Sequence, residues 1–387
     1  MSDSLVARLL DATSPDRTVA GVAVAADYRP LGERVMPPSF PGNDSPQYLI
    51  VRPGSDDLED GVGPWVAIDQ VQSQANRVEE ALNDAIAADE VALPLFRLAL
   101  SMDLRDIKLT SLDLPHRYAD AYLRDCRIDG VPFDKTDVGL SLRKASKTDV
   151  SALYRREPYS LLYGAWDSHR KGHQQKFARL YTSEMWGEDW VPSRRAAGRY
   201  DPYNLSGQAI PTPDGGWDFA PTGTKAAKSA ERLSKNGHGH IPPTVSDIGG
   251  GFVSVVRRRA LISSAGLARL RFGRATGEAA HLARATLMAL ALYADRLAFG
   301  APSVWLRSGC DLVKQDERIV MEKSGGESEP LDVDTDSVRS AFEELRDRTA
   351  EAGLAMDRDI IDVTPDKGLK DALQYSIAKA EPGETEG

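Results

Sequence analysis

A stretch rich in glycine and proline, residues 188–250, divides the regular pattern of this chain into two halves. It holds 16 Gly or Pro residues in 63, against 55 in the whole chain of 387. Long apolar periodicity is lost across it. A connection of this length without regular structure is uncommon inside a compact domain, so we expect residues 188–250 to be an insertion that is functional or disordered rather than a simple connector.

The segments on either side of this stretch predict an alternation of strands and helices. The predicted strands are residues 18–28, 93–100, 107–112, 158–166, 177–186, 251–263 and 303–313, and the predicted helices are residues 71–88, 114–126, 277–298 and 335–352. The helix over residues 277–298 is apolar on most sides, which indicates that it is buried. This order of elements predicts an α+β fold: a ferredoxin-like core with helices on one face of the sheet and long insertions.

The charge pattern suggests a division of the chain near residue 313. Residues 1–313, with the insertion at 188–250, are expected to form the core. Residues 314–387 form an acidic C-terminal region, in which we expect one helix and a polar, disordered tail from residue 381.

The net charge of −10 conceals a basic middle. Residues 141–310 hold 25 Lys or Arg against 13 Asp or Glu, which leaves 23 against 45 for the rest of the chain. Because salt screens charges beyond about 8 to 10 Å, a basic segment can bind a polyanion even when the whole chain is acidic. The alternative is that these charges are an ordinary solvated surface.

Composition excludes several classes of protein. The longest apolar stretch, residues 285–294, is about half of the roughly 20 residues that a membrane helix needs. The N-terminus lacks a signal pattern, so we expect a cytoplasmic protein with no membrane partner. Cys126 and Cys310 are the only cysteines, too few for a disulfide framework or a thiolate zinc site within one chain.

The densest group of chemically active side chains is YGAWDSHRKGHQQKFAR at residues 163–179. His169 and His173 are four apart, but a glycine between them argues against the rigid helix that a metal site would need. His238 and His240 form a second pair on a separate loop. No motif for nucleotide hydrolysis, acyl transfer or dinucleotide binding is present. We therefore expect no metal and no cofactor.

Contact with phosphates and bases is the simpler interpretation of this stretch. Its glycines let the backbone approach a phosphate, and Lys171, Lys176 and Arg179 supply positive charge. Trp166 offers a face on which a base can stack. The alternative for Trp166 is a core position at a strand end.

Two further segments carry similar chemistry. NGHGH at residues 236–240 offers exposed backbone amides beside His238. RRR at residues 257–259 places guanidinium groups on both faces of a strand. At least one of these three arginines must therefore face inward, pair with an acid or meet a ligand.

Several short motifs together suggest a family. They are SQANRVEEAL at 73–82, PHR at 115–117, GAWDS at 164–168 followed by KFAR and SE, GHGHIPP at 237–243, and LRSGCDL at 306–312. In this order they resemble the backbone subunit of the type I-G (formerly I-U) CRISPR Cascade, a member of the RAMP superfamily. The resemblance covers residues 18–313 approximately and leaves out the acidic C-terminal region.

The resemblance implies a modified RNA-recognition-motif (RRM) palm with insertions that form thumb and fingers. Such a subunit binds CRISPR RNA without cleaving it. Further copies polymerise along the guide spacer and present it for pairing with target DNA in antiviral defence. Other Cascade subunits complete the ribonucleoprotein complex. Guide processing and target cutting are carried out by other subunits and by a recruited helicase-nuclease.

The resemblance also implies a set of RNA-binding residues, of which Arg77, Lys176 and Arg179 are expected to matter most. The full set is Ser73, Asn76, Arg77, His116, Arg117, Trp166, Ser168, Lys171, Lys176, Arg179, Gly237, His238, Arg257 and Arg259. Ser73 has an alternative role as a helix cap. His240 stands where the family pattern has asparagine.

Two other functions stay open at this point. One is an endoribonuclease of the same superfamily that processes guide RNA precursors through a histidine. The other is a metabolic enzyme with a small-molecule pocket between sheet and insertion. Asp167 invites comparison with the loop aspartate of type III RNA-cleaving subunits, but nothing else matches that loop, and we expect a protein without catalytic residues.

Overall fold

The computed structural model describes residues 4–42, 46–51, 63–102, 105–167, 175–205, 207–212, 216–219, 231–233 and 237–380. Within them lie the helices α1 (Leu5–Thr13), α2 (Val71–Ala87), α3 (Ala121–Arg124), α4 (Asp137–Lys144), α5 (Ser151–Arg156), α6 (Tyr159–Tyr163), α7 (Ser264–Leu267), α8 (Gly277–Phe299), α9 (Thr335–Glu351) and α10 (Lys367–Ala380). Two 3₁₀ turns cover Arg117–Ala119 and Phe133–Lys135.

An eight-stranded sheet is the centre of the fold. Its strands are β1 (Val19–Pro30), β2 (Ile50–Val51), β3 (Trp65–Asp69), β4 (Tyr181–Gly187), β5 (Val256–Ser263), β6 (Ser303–Arg307), β7 (Cys310–Lys323) and β8 (Ser328–Pro330). The order across the sheet is β6-β7-β1-β5-β4-β3-β2, and β8 pairs with β7.

The four inner strands have the order expected for a ferredoxin-like core. Numbered along the chain, β1, β4, β5 and β7 lie in the order four, one, three, two, and each neighbouring pair is antiparallel. Helix α2 connects β1 to β4, and α8 connects β5 to β7. The structure is therefore α+β and consistent with a ferredoxin-like core that carries long insertions, as the sequence predicted.

The helices cover one face of this sheet. On β1, the side chains of Val22, Val24, Ala26 and Tyr28 are buried, whereas Ala25 and Asp27 are only partly buried on the other face. Helix α8 packs against α1, α2 and α9, which explains why it is apolar on almost every side.

No helix among the described residues is long and apolar enough to cross a membrane.

A second sheet joins the C-terminal region to the body. Its five strands lie in the order Arg105–Thr110, Leu95–Met102, Ile360–Pro365, Cys126–Ile128, Val131–Pro132. The strand from the C-terminal region is parallel to one neighbour and antiparallel to the other.

The expected division after residue 313 does not coincide with a break in the structure. β7 runs through this position and pairs with β1 as far as Lys323. α9 packs on α8, and α10 is a second helix where the sequence analysis predicted one. The predicted tail from residue 381 lies outside the described residues.

The insertion contains short strands that pair among themselves. The described pairs are Val191–Pro192 with Gly251–Phe252, Arg195–Arg199 with Ile241–Ser246, and Gln208–Pro211 with both Trp217–Phe219 and Glu231–Arg232. Nearly every residue of the second pair is exposed. In the described residues, this part of the chain therefore adds little to the apolar core.

Several predicted elements differ from the structure. The helix predicted at residues 114–126 is divided into the 3₁₀ turn Arg117–Ala119 and the four-residue helix α3, and the strand predicted at residues 177–186 is interrupted between Phe177 and Tyr181. Residues 159–163 form helix α6 where a strand was expected, because a short apolar run has no period that separates a buried helix from a buried strand. Residues 303–313 contain two strands, β6 and the start of β7, joined at Gly309, whose φ of 73° permits a tight turn.

Candidate nucleic-acid interface

A two-stranded ribbon carries Trp166 and Lys176, two of the residues that the sequence analysis expected to bind RNA. Ala165–Asp167 pairs with Gln175–Phe177 in antiparallel register, with Trp166 opposite Lys176. Trp166 is 55% exposed, and Lys176 is exposed as well. Because cross-strand partners lie on the same face of a ribbon, an aromatic ring and an ammonium group are presented together.

Gly164 sets the direction of the chain at the base of this ribbon. Its φ of 84° lies in the left-handed region that glycine adopts without strain. A β-carbon at this position would lie 3.1 Å from Cγ of Arg179 and 3.1 Å from the carbonyl oxygen of Phe177. The turn from α6 into the ribbon therefore packs directly against Arg179.

A cleft of about 420 Å³ opens beside the second strand of the ribbon. Its apolar lining includes Val150, Leu161, Phe177, Leu180 and Leu270, and its polar lining comprises Lys147, Lys176, Arg179, Ser263 and Arg269. Four of the lining side chains carry positive charge, and no carboxylate lies among the described residues that line the cleft.

These four cations are available to a ligand. Lys147, Lys176, Arg179 and Arg269 are all exposed, and none of them forms an ion pair with another described residue. Unneutralised cations at the rim of a concave site attract phosphate groups, and an apolar floor of this size accepts a planar base. Phosphate contacts carry no sequence information, so this site can hold a nucleic-acid strand without reading its sequence.

The open face of the central sheet continues from this cleft. Ser263, at the end of β5, lines the cleft. Side chains alternate along a strand, so Leu261, Arg259 and Arg257 lie on the same face as Ser263. Leu261 is 42% exposed, and the helices lie on the opposite face. The basic surface therefore extends from the cleft along β5.

The two arginines on this open face differ in how far they are neutralised. Arg257 donates hydrogen bonds to Asp27 at 3.2 Å and to Glu188 at 2.6 Å. Arg259 approaches Asp27 only to 3.7 Å. Partial burial and the neighbouring Arg257 lower the pKa of Arg259. Arg259 is therefore the better placed of the two to receive a phosphate.

The middle arginine of the RRR run faces inward, as the sequence analysis required of at least one of the three. Arg258 is fully buried and forms an ion pair with Asp295. It also donates to the hydroxyl of Tyr181 at 2.8 Å and lies 3.8 Å from the ring centroid of Phe299. Burial disfavours the ionised form of Asp295, but Arg258 and Arg296 outweigh it and lower the pKa of this carboxyl.

At the start of α2, the polar side chains of the helix bind a carboxylate of the chain itself, that of Asp69. The buried carboxylate of Asp69 accepts hydrogen bonds from the hydroxyl of Ser73 at 2.7 Å, from Nε of Arg77 at 2.8 Å and from Arg307 at 3.2 Å. Ser73 does not cap the helix. Asn76 is exposed. Because the ion pair with Asp69 neutralises Arg77, Lys176 and Arg179 are better placed than Arg77 to bind a phosphate.

The structure corrects the interpretation of Arg117. This side chain is buried, and its Nε and one NH₂ group donate to the carboxylate of Glu79 at 2.6 and 2.7 Å. The other NH₂ group donates to the carbonyl oxygen of Gly164 at 2.7 Å. Arg117 is thus directed into the protein and is not placed to contact RNA. Its neighbour His116 is exposed, and its contact with RNA stays a prediction.

The glycine-histidine turn closes onto the start of the insertion. The Arg199 guanidinium donates to the carbonyl oxygens of His238 at 2.6 Å and Gly239 at 3.0 Å. The ring of His238 meets Trp217 edge-on, with 5.5 Å between centroids. Gly237 is exposed with a φ of 88°. The turn therefore organises the insertion, and its contact with RNA stays a prediction.

Some residues of the expected site lie outside the described part of the chain. They are Ser168 and Lys171, together with the histidine pair His169 and His173. Asp167, the last described residue before Ser168, is buried.

Sequence reasoning missed two cations of the cleft. Lys147 and Arg269 are far from the ribbon in sequence, and neither belongs to a recognisable motif. It also missed exposed aromatic rings in the insertion: Tyr200 is 80% exposed and stacks on His240, and Tyr203 is 88% exposed. The close spacing of Tyr200 and Tyr203 in a polar segment was the available signal for the two tyrosines. No local sequence signal marked Lys147 and Arg269.

Metal and thiol chemistry find little support in the described residues. Among them, no group of three or more His, Cys, Asp or Glu side chains is arranged to hold a metal ion. Cys126 and Cys310 are buried, and burial raises the pKa of these thiols to about 12 and about 11. Both thiols are therefore protonated at neutral pH.

Comparison with known families gives one match. The family described as CRISPR-associated protein GSU0053 matches residues 22–192, a little under half of the chain. This segment includes most of β1 and all of α2, the ribbon and β4, and it ends within the first residues of the insertion. The match supports a CRISPR-associated protein with a role in CRISPR defence alongside other CRISPR components. No curated protein matches the chain significantly.

Proposed function

We propose that this protein is a non-catalytic RNA-binding backbone subunit of a type I Cascade complex. The CRISPR-associated match covers the ribbon and three of the four cations of the cleft. The observation that carries the proposal is the cleft itself. Its described lining holds four cations and no carboxylate around an apolar floor, beside the exposed Trp166. This combination fits a single strand bound through its phosphates and stacked bases.

In this proposal the RNA is the CRISPR guide, and its strand follows the cleft and the open face of the sheet along β5. Further copies of the chain bind successive segments of the same guide. The bases on the outer side then pair with target DNA, and other Cascade subunits complete the particle. Trp166 supplies stacking, and Lys176, Arg179 and Arg259 supply contacts to phosphates.

The endoribonuclease alternative requires a general acid or base beside the bound strand. Among the described residues, no histidine lines the cleft, and His116 lies on the separate turn that holds Arg117. His169 and His173 lie outside the described residues, so the test below decides between binding and cleavage.

The test is to co-express the protein with a CRISPR array and its partner subunits, purify it, and sequence the nucleic acid that accompanies it. We expect RNA of defined length that contains spacer sequence, in a particle much larger than one chain. The Lys176→Glu/Arg179→Glu variant should lose most of this RNA, whereas Lys370→Glu, on the exposed surface of α10, should keep it.

A nucleic-acid-free protein of monomer size would contradict the proposal. Cleavage of a guide precursor by the purified protein would favour the endoribonuclease instead.

A further inference from the structure

The ribbon that carries Trp166 and Lys176 has little of its own to hold it in place. It consists of three residue pairs, between Ala165–Asp167 and Gln175–Phe177. A two-stranded ribbon of this size is marginally stable in water by itself. Something in the body must therefore fix its direction relative to the cleft.

Arg117 contacts the ribbon at its base. One NH₂ group donates to the carbonyl oxygen of Gly164 at 2.7 Å, one residue before the first strand. The adjacent Tyr118 packs against Phe177 in the second strand, with 6.3 Å between ring centroids. The 3₁₀ turn Arg117–Ala119 therefore supports both strands from below.

The guanidinium that makes this contact is itself fixed from α2. Glu79 receives two parallel hydrogen bonds from Arg117, at 2.6 and 2.7 Å. Such a bidentate pair fixes the plane of the guanidinium as well as its position. It aims the remaining NH₂ group at Gly164.

The backbone of Arg117 shows that this arrangement is held against a local cost. Its φ of 49° is a left-handed conformation that L-residues adopt rarely. Such a conformation persists where the surroundings over-determine it, and it is concentrated at functional sites. Here the surroundings are Glu79, Gly164 and the ring of Tyr163, whose centroid is 5.7 Å from the guanidinium carbon.

We infer that Arg117 is a positioning residue for the nucleic-acid interface. Held by Glu79, it fixes the carbonyl group of Gly164 and thereby the direction of the ribbon. Gly164 in turn packs against Arg179, so the ribbon and Arg179 are kept at the cleft together. Without this hydrogen bond, the unrestricted backbone of Gly164 lets the ribbon turn away. The inference rests on the proposed function only for its consequence, which is RNA affinity.

Two single variants separate positioning from direct contact. Glu79→Gln removes a negative charge, so pure electrostatics predicts tighter or unchanged binding of RNA. Positioning predicts the opposite, because the guanidinium loses its anchor. Arg117→Lys keeps the positive charge but cannot form the bidentate pair. Both variants are expected to weaken binding of a single-stranded RNA oligonucleotide about tenfold, the size of one charge-assisted hydrogen bond.

Removal of one partner from a buried ion pair endangers folding, so a third variant is needed. Glu79→Leu together with Arg117→Met replaces both charges by apolar side chains of similar size, which proteins often tolerate. This double variant should fold with a melting temperature close to that of the wild type. It should still lack the hydrogen bond to Gly164.

The deciding readout is amide hydrogen exchange of Gln175–Phe177 in the protein without RNA. All three variants should exchange faster there, while a segment of the core such as β1 keeps its wild-type protection. Unchanged protection in the double variant would overturn the inference, as would weaker RNA binding without any change in exchange. If exchange changes as expected but the wild type binds no RNA, the proposed function fails and the positioning role stands.

Discussion

Trp166 and Lys176 lie directly opposite each other on the two strands of the ribbon at the edge of the cleft. The pair combines the two kinds of contact that a single strand of RNA offers, stacking of bases and attraction of phosphates. These contacts depend differently on salt, so they can be measured separately.

Lys176→Glu and Arg179→Glu should each weaken RNA binding and reduce its dependence on salt. Neither cation has an ion-pair partner among the described residues, so its charge is available to a phosphate. Each lost contact should reduce the slope of log affinity against log salt concentration by about 0.7. Fluorescence anisotropy with single-stranded RNA over a range of salt concentrations measures this slope. An unchanged slope in both variants would show that the phosphates bind elsewhere; Lys370→Glu serves as control.

Trp166→Ala should weaken RNA binding without changing the salt slope. Loss of a stacked base costs about 1–3 kcal/mol, and no ion is released by stacking. Trp166 is 55% exposed, so its removal should leave the melting temperature nearly unchanged. The same anisotropy titration tests this. Equal affinity of the variant and the wild type would assign the ring a different partner.

Arg259→Glu should weaken RNA binding more than the matched change Arg348→Glu, which lies on α9 among the helices. Arg259 lies on the open face, and its ion-pair partner among the described residues, Asp27, approaches only to 3.7 Å. If the strand follows β5, the change introduces repulsion along its path. If the two variants bind RNA equally well, the RNA leaves the sheet before it reaches Arg259.

Asp295→Asn should destabilise the fold by about 3–5 kcal/mol, the usual cost of leaving a buried charge without its partner. Arg258 and Arg296 both pair with this carboxylate, and all three side chains are buried. Urea denaturation measures the loss, with the exposed Asp316→Asn as control. A loss below about 1 kcal/mol would mean that water or another acid compensates the arginines.

The stability of the fold should depend on the protonation of Glu157. This carboxyl is fully buried and accepts the backbone N–H of Ser160 at 3.1 Å. Burial raises its pKa to about 8, whereas the carboxyl of an unfolded chain titrates near pH 4.3. The folded state therefore binds the proton more tightly, and its free energy of unfolding falls as the pH rises from about 4 to about 8.

Glu157→Gln mimics the protonated carboxyl and should remove this dependence. The variant should gain on the wild type as the pH rises, by an amount on the order of a few kcal/mol at about pH 8. Urea denaturation at several pH values gives the difference, and the exposed Glu351→Gln should follow the wild type. Parallel pH profiles for all three proteins would contradict a raised pKa.

Much of the fold could be predicted because it depends on local pattern. The helices α2, α8 and α9 and the strand β1 were predicted within two residues at each end, since each repeats apolar residues at the period of its own structure. Helix α6 was predicted as a strand, because five buried residues show no period. The C-terminal strand Ile360–Pro365 was not predicted, because only its neighbours in the second sheet make it a strand.

Within the candidate site, the sequence identified Trp166, Lys176 and Arg179, because one short segment brings their chemistry together. It could not separate Arg117 from these residues, since a buried and an exposed arginine look alike in a sequence. Arg117 is bound instead by Glu79, which is 38 positions away in the chain and accepts hydrogen bonds from two nitrogens of the Arg117 guanidinium.

The sequence by itself determined the alternation of strands and helices and the basic middle of the chain. The tertiary structure decided which charges remain free. In the folded chain, Arg258 pairs with Asp295 and Arg77 pairs with Asp69. Lys147 and Arg269 lie in the cleft beside Lys176 and Arg179. The physical reason is that the attraction between a charged side chain and a ligand depends on the burial of that side chain and on the charges near it in space. Distant parts of the chain supply those neighbouring charges.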